Sequence, residues 1–240
     1  METFITSYNL TCSPSRVIII MKKNLKLSFL LLFIAAINAS DPLFVKYSES
    51  AINLSSLVER NGIKYKINSQ KPFSGKFIGF EDEFGFCVVE AGTFKNGLFH
   101  GAYESYEGCG VAYSEKINYK NGLQHGDYIL YEEGYLAMEG QFYNDLLVGE
   151  WKGYEYGLLM WTEAYKNDEL LSYVLFEYHD NGQIALKESY DGMDKLDGIS
   201  EAYHSNGQLK SKIQYKDGNI VKVLEKYDFN GYSLPLEWKI

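Results

Sequence analysis

The chain has 240 residues, with 23 Lys and Arg against 32 Asp and Glu, and 16% of it is aromatic. Residues 1–40 contain four of the basic residues and only one acid, so the remainder has 19 basic and 31 acidic residues and a net charge of −12. An acidic surface of that size repels nucleic acid and anionic lipid headgroups, so neither is an expected partner.

Met21 to Ser40, MKKNLKLSFLLLFIAAINAS, has a basic start, an apolar run of 11 residues from Leu27 to Ile37 and a small residue, Ala39, suited to cleavage. We read residues 21–39 as a secretory signal peptide with Met21 as the start, and residues 1–20 as an over-extended reading frame. The apolar run is shorter than the roughly 20 residues a membrane span requires. No stable membrane span is expected, and the mature protein is placed in the periplasm or outside the cell. Two cysteines remain after the leader, Cys87 and Cys109. In an oxidising compartment they are candidates for a disulfide, with two free thiols as the other reading.

Residues 41–72 show no repeat. Asn61-Gly62 supplies the two positive φ angles of a tight hairpin turn, and Ile63, Tyr65 and Ile67 alternate after it. This segment is expected to be an N-terminal cap whose strand starts the sheet. Over residues 73–234 a pattern then recurs. Phe94-Lys95-Asn96-Gly97 aligns with Tyr119-Lys120-Asn121-Gly122 and Phe142-Tyr143-Asn144-Asp145, and the leading aromatic returns at Tyr165, Tyr190 and Tyr215. The separations are 25, 23, 23, 25 and 25 residues. A fixed period of that length signals stacked supersecondary units. Within a unit, Leu136, Met138, Gly140 and Phe142 alternate with Ala137, Glu139 and Gln141, which is the period of a strand with one apolar and one wet face. The fold class is therefore all-β, a single-domain array of antiparallel β-hairpin repeats with almost no helix, closed by a tail at residues 235–240.

Equivalent aromatics in successive units should stand beside one another as ladders: Tyr103, Tyr128 and Trp151 in one set, Tyr106, Tyr131 and Tyr154 in another. These rings are the candidate site, either as packing or as a binding surface. At Asp168 an acid replaces the turn glycine, and Ser172 stands where an earlier unit has Gly126, so a bend or looser hairpin is expected there.

The F/Y-K-N-G-x-x-H-G-x-Y unit, the Y-H-x-N-G-Q stretches at Tyr178–Gln183 and Tyr203–Gln208, and the opening LVERNGIKYKINSQKPFSGKF resemble bacterial MORN-repeat-variant proteins, often labelled YwqK-family antitoxins. The likeness spans about Leu57 to Gly231. It implies a β-hairpin array with an interaction role, and the family offers no catalytic motif to carry over.

No Ser/His/Asp order, phosphate-cradling loop or CxxC pair is present, so an enzyme is not expected, and no cofactor or metal is assigned. The four histidines form repeat-equivalent pairs, His100 with His125 and His179 with His204. A shared metal or pH-sensitive site is one reading, and a polar residue in an exposed turn is the preferred one. Asp127 and Glu150 likewise stand at equivalent positions, as a calcium pair or, preferably, as solvated carboxylates. The expected function is a non-catalytic scaffold for a protein partner; an antitoxin or immunity protein and a carbohydrate-binding module are the alternatives.

Overall fold

A computed structural model describes residues 50–81, 87–110 and 112–236; the leader read at residues 21–39 lies outside them. The strands are β1 (Ile52–Asn53), β2 (Leu57–Arg60), β3 (Ile63–Lys66), β4 (Gly75–Phe80), β5 (Val88–Lys95), β6 (Leu98–Phe99), β7 (Gly101–Glu107), β8 (Ala112–Lys120) and β9 (Leu123–Glu132). They continue as β10 (Tyr135–Tyr143), β11 (Leu146–Glu155), β12 (Leu158–Lys166), β13 (Glu169–Tyr178), β14 (Ile184–Asp191), β15 (Gly198–Tyr203), β16 (Leu209–Lys216) and β17 (Asn219–Lys226). The helical content among the described residues is one 3-10 turn, Leu54–Ser56, capped by the Asn53 side chain. None of it is long and apolar enough to cross a membrane.

Fifteen strands form one mostly antiparallel sheet that does not close on itself. From β7 onward each strand pairs with its neighbours in chain order, as short turns dictate. Asn96-Gly97, Asn121-Gly122 and Asp217-Gly218 each place two consecutive residues at positive φ, the geometry whose twist suits a two-residue hairpin.

Two sequence expectations need correction, the first at the N-terminal end. The cap hairpin does not start the large sheet: β2 and β3 form a separate two-stranded sheet, and the sheet edge is β1, running parallel to β4. The hairpin instead lies over the Asn96-Gly97 turn, with the Lys64 amide donating to the Gly97 carbonyl at 3.0 Å. Asp168 does not loosen its hairpin either. Asn144-Asp145 and Asn167-Asp168 are as tight as the Asn-Gly turns, both residues at positive φ. Each aspartate offsets its strain with a bond glycine cannot make: Asp145 Oδ1 accepts from the Gln124 amide at 2.6 Å and Asp168 Oδ1 from the Leu147 amide at 2.7 Å. Both bonds reach back to the preceding turn on the same edge, so the substitution ties neighbouring hairpins together.

The buried core sits at the start of the array. Phe77 and Ile78 point to opposite faces of β4, and both are buried. Phe77 packs with Phe73, Phe94 and Leu57, while Ile78 packs with Val88, Ala91 and Tyr106. Further along, the strands' extensive contacts among the described residues are all with their sheet neighbours. Most residues there are half-buried, with Ile117, Trp151, Gly153 and Ser200 the buried exceptions among the described residues.

Candidate binding surface

Cross-strand pairing assigns the faces. Tyr103 lies opposite Ile117, Ile117 opposite Tyr128, and Tyr128 opposite Gly140, so these share one face with Phe142 and Trp151. Residues three apart on a strand point oppositely. Tyr106 accordingly joins the Ile78 cluster on the other side, where Tyr113 stands next to it at 5.3 Å and Tyr131 follows at 6.4 Å from Tyr113.

The two expected aromatic sets thus occupy opposite faces, and neither is an unbroken ladder. Ile117 separates Tyr103 from Tyr128. Tyr103 packs instead with Phe99 and Tyr119, at 5.6 and 6.0 Å. Tyr128 and Trp151 do meet, with centroids 5.5 Å apart, and Phe142 packs edge-on against both. Tyr154 turns its hydroxyl to Glu139, donating at 2.8 Å.

Trp151 is buried because two strands leave room for it. Gly140 stands beneath the indole, and any Cβ there would come closer than 3.0 Å to ring atoms of Trp151; Gly153 stands in the same relation to Trp161. The indole Nε1 of Trp151 has no acceptor among the described residues.

The division into an apolar and a wet face holds only in part. In the core and beyond it, tyrosine hydroxyls donate to carboxylates on both faces. The recurring arrangement is Glu-x-Tyr within one strand: Glu104 and Tyr106, Glu163 and Tyr165, Glu188 and Tyr190, Glu201 and Tyr203, Glu225 and Tyr227, at 2.6–3.1 Å. Residues two apart share a strand face, so the signal was present in the sequence, although aligning units on their leading aromatics passes over it. Burial, with the carboxylate second, pushes Tyr165 and Tyr190 up to about 12. Burial and Glu115 do the same for Tyr128, also to about 12. Lys187, Glu201, Lys212 and Glu225 stand opposite one another in turn. The Lys212 ammonium, 2.8 Å from Glu201, holds that carboxyl below its usual range.

Bulges also break the alternation. The register slips between Leu136 and Met138, leaving Leu136 opposite Tyr131 while Met138 faces Leu130. Leu136 therefore does not share the face of Met138, Gly140 and Phe142.

Cys87 and Cys109 are joined in a disulfide, tying the end of the β4–β5 connection to the β7–β8 turn. The histidines brace turns. His179 and His204 each direct Nε2 at a backbone carbonyl of the next hairpin, Tyr203 at 3.1 Å and Tyr227 at 3.2 Å. His100 Nδ1 accepts from the Asn121 amide, and His125 Nδ1 lies 3.2 Å from Asn144 Oδ1. Asp127 accepts from Gln141 and Glu150 pairs with Lys152, so the two acids have separate partners. What remains available for binding is the partly exposed aromatic and aliphatic face of the later strands. There Trp161 pairs with an exposed Leu175, and Tyr173 stacks on Tyr190 at 4.7 Å. Comparison of the chain with protein-family models finds no match, and comparison with curated proteins finds none at the level of sequence.

Proposed function

We propose that the chain is a non-catalytic, secreted or periplasmic scaffold of the MORN-repeat-variant type that binds a protein through the Trp161–Leu175–Tyr190 face. The observation that carries this reading is a tyrosine-rich sheet face, in which Trp161, Leu175, Tyr173 and Tyr190 alternate with Glu163 and Glu188, with no second layer over it among the described residues. Tyrosine and tryptophan are enriched where proteins meet, because they bring large contact area at low entropic cost. Trp151 is buried against Tyr128 and Phe142, which weighs against a glycan platform built on its ring. The test places a photo-crosslinking residue at Leu175, or at Lys210 as the control, in mature protein incubated with its own envelope fraction. A discrete protein adduct formed from Leu175 and not from Lys210 supports the reading. Equal or absent adducts at both sites, or retention on a polysaccharide column that Leu175→Lys abolishes, would count against it.

A further inference from the structure

A second feature lies at the edge of the sheet, away from that face. The end of β7 and the β9–β10 and β11–β12 turns enclose a concavity of about 470 Å³, within the usual range of ligand pockets. Its aromatic walls are Tyr135 and Tyr156, 56% and 77% exposed, with ring centroids 6.5 Å apart and planes at 76°. Glu107, Glu132, Glu133 and Glu155 line the same space.

Three observations set this recess apart from a solvated acidic edge. The first is that the two rings pack edge to face on each other and leave more than half of their surface open. Tyr156 even occupies the first position of its turn at a φ of 47°, where asparagine suits the left-handed conformation and a bulky ring costs about 1–2 kcal/mol. The contact with Tyr135, of about 0.5–1.5 kcal/mol, does no more than offset that cost.

The second is that the negative charge is unanswered. Among the described residues none of the four glutamates has an ion pair or hydrogen bond, whereas Glu139, Glu150 and Glu201 elsewhere all hold a lysine. No basic side chain lies over Tyr135 or Tyr156, although Lys116 sits 3.5 Å from the centre of the Tyr113 ring two strands away.

The third is the spread of the carboxylates. Among the described residues, three acidic oxygens converge within 4.8 Å at Asp191, Asp197 and Asp217, and not here. A compact metal ion needs such convergence. Carboxylates set apart around two exposed ring faces suit a larger cation that meets them at several points. Its apolar stem would rest on the tyrosines and its charge would meet their π-faces and the glutamates.

We propose that this recess binds an extended organic cation bearing guanidinium or ammonium groups. Its two natural sources are an arginine- or lysine-rich polypeptide segment and a free polyamine.

The test uses an acetylated, amidated tetra-arginine peptide, spermidine and magnesium chloride as separate probes of the mature protein, followed by calorimetry and by NMR of the tyrosine rings. The expected result is one saturable organic-cation site whose occupancy shifts the Tyr135 and Tyr156 ring resonances. Tighter binding of the peptide assigns the polypeptide source, and tighter binding of spermidine assigns the polyamine. Tyr156→Asn, which keeps a residue suited to positive φ, should weaken binding about two- to fivefold. Glu132→Gln with Glu155→Gln should weaken it further, and Glu169→Gln with Asp217→Asn at the opposite edge should not. The proposal is overturned if Tyr156→Asn has no effect, if the two pairs of charge removals are equivalent, or if magnesium alone produces the ring shifts.

Discussion

The contact between Gly140 and Trp151 offers the sharpest test of the packing, because one methyl group and one ring should each depend on the other. Trp151 is 4% exposed. Burying about 200 Å² of aromatic side chain at roughly 25 cal/mol per Å² corresponds to an upper value of about 5 kcal/mol, and Trp→Ala changes in cores cost about 3–5 kcal/mol. A Cβ at Gly140 would press closer than 3.0 Å to the Cδ2, Cε2 and Cε3 atoms of the indole, where the backbone below cannot yield. Gly140→Ala should therefore destabilise by about 1–3 kcal/mol, the ordinary cost of overpacking. In a Trp151→Ala background the clash is gone, and the same change should be neutral or stabilise by about 0.5–1 kcal/mol, because alanine orders a strand more cheaply than glycine. The double-mutant cycle should thus show a coupling of about 1–4 kcal/mol. Urea denaturation followed by far-ultraviolet circular dichroism measures it, with the slope m checked in each variant because arrays of stacked units can melt in parts. Costs that add to within about 0.5 kcal/mol would refute the proposed contact.

Further expectations concern the cross-link, the tyrosines and the aspartate turns. Cys87 and Cys109 are 22 residues apart. Closing that loop restricts the unfolded chain by about 3 kcal/mol, so reductant or Cys87→Ser with Cys109→Ser should lower the melting temperature, and an unchanged melt contradicts the bond. Tyr128, Tyr165 and Tyr190 ionise near 12 when folded and near 10 when unfolded. Their raised values mean that the native state holds protons the unfolded chain releases. This stability is fully present below pH 10 and lost as pH rises toward 12. A tyrosinate absorbance titration should show a late-ionising class that disappears in denaturant, whereas a single wave near pH 10 in native protein counts against it. Asp168→Ala removes the acceptor of the Leu147 amide and leaves alanine at a φ of 68°. It should cost about 1–3 kcal/mol in the same denaturation assay, more than Asp168→Gly, and the reverse order would reject the compensating role of the carboxylate.

The strand class and many turns were legible because their chemistry is local. Asn61-Gly62, Asn96-Gly97 and Asn121-Gly122 demand positive φ in the sequence and have it in the fold. The aspartate turns were misread because glycine was treated as necessary; the carboxylate's bond to the previous turn depends on a neighbour about 21 residues away. Bulges leave no comparable mark, so the slip at Leu136 stayed hidden behind a regular alternation. The two-residue parallel strand β1 is too short to announce itself. For the site, the paired cysteines were visible as candidates, but which edge brought them together was not. Tyr135 and Tyr156 went unnoticed because they lie outside the aligned aromatic positions, in the turns where neighbouring units differ.

One open sheet, paired in chain order from β7 onward, leaves most of its surface without a second layer among the described residues. Fourteen successive strands at about 4.8 Å spacing span roughly 60 Å across the sheet, against a chain of this size packed as a globule with a radius of gyration of about 16 Å. Small-angle X-ray scattering of residues 41–240 in dilute solution measures this directly. A maximum dimension of about 60 Å or more, with a radius of gyration near 20 Å, is the expected result for such a sheet. A globule near 16 Å, with the maximum dimension of a closed or two-layered fold, would contradict it.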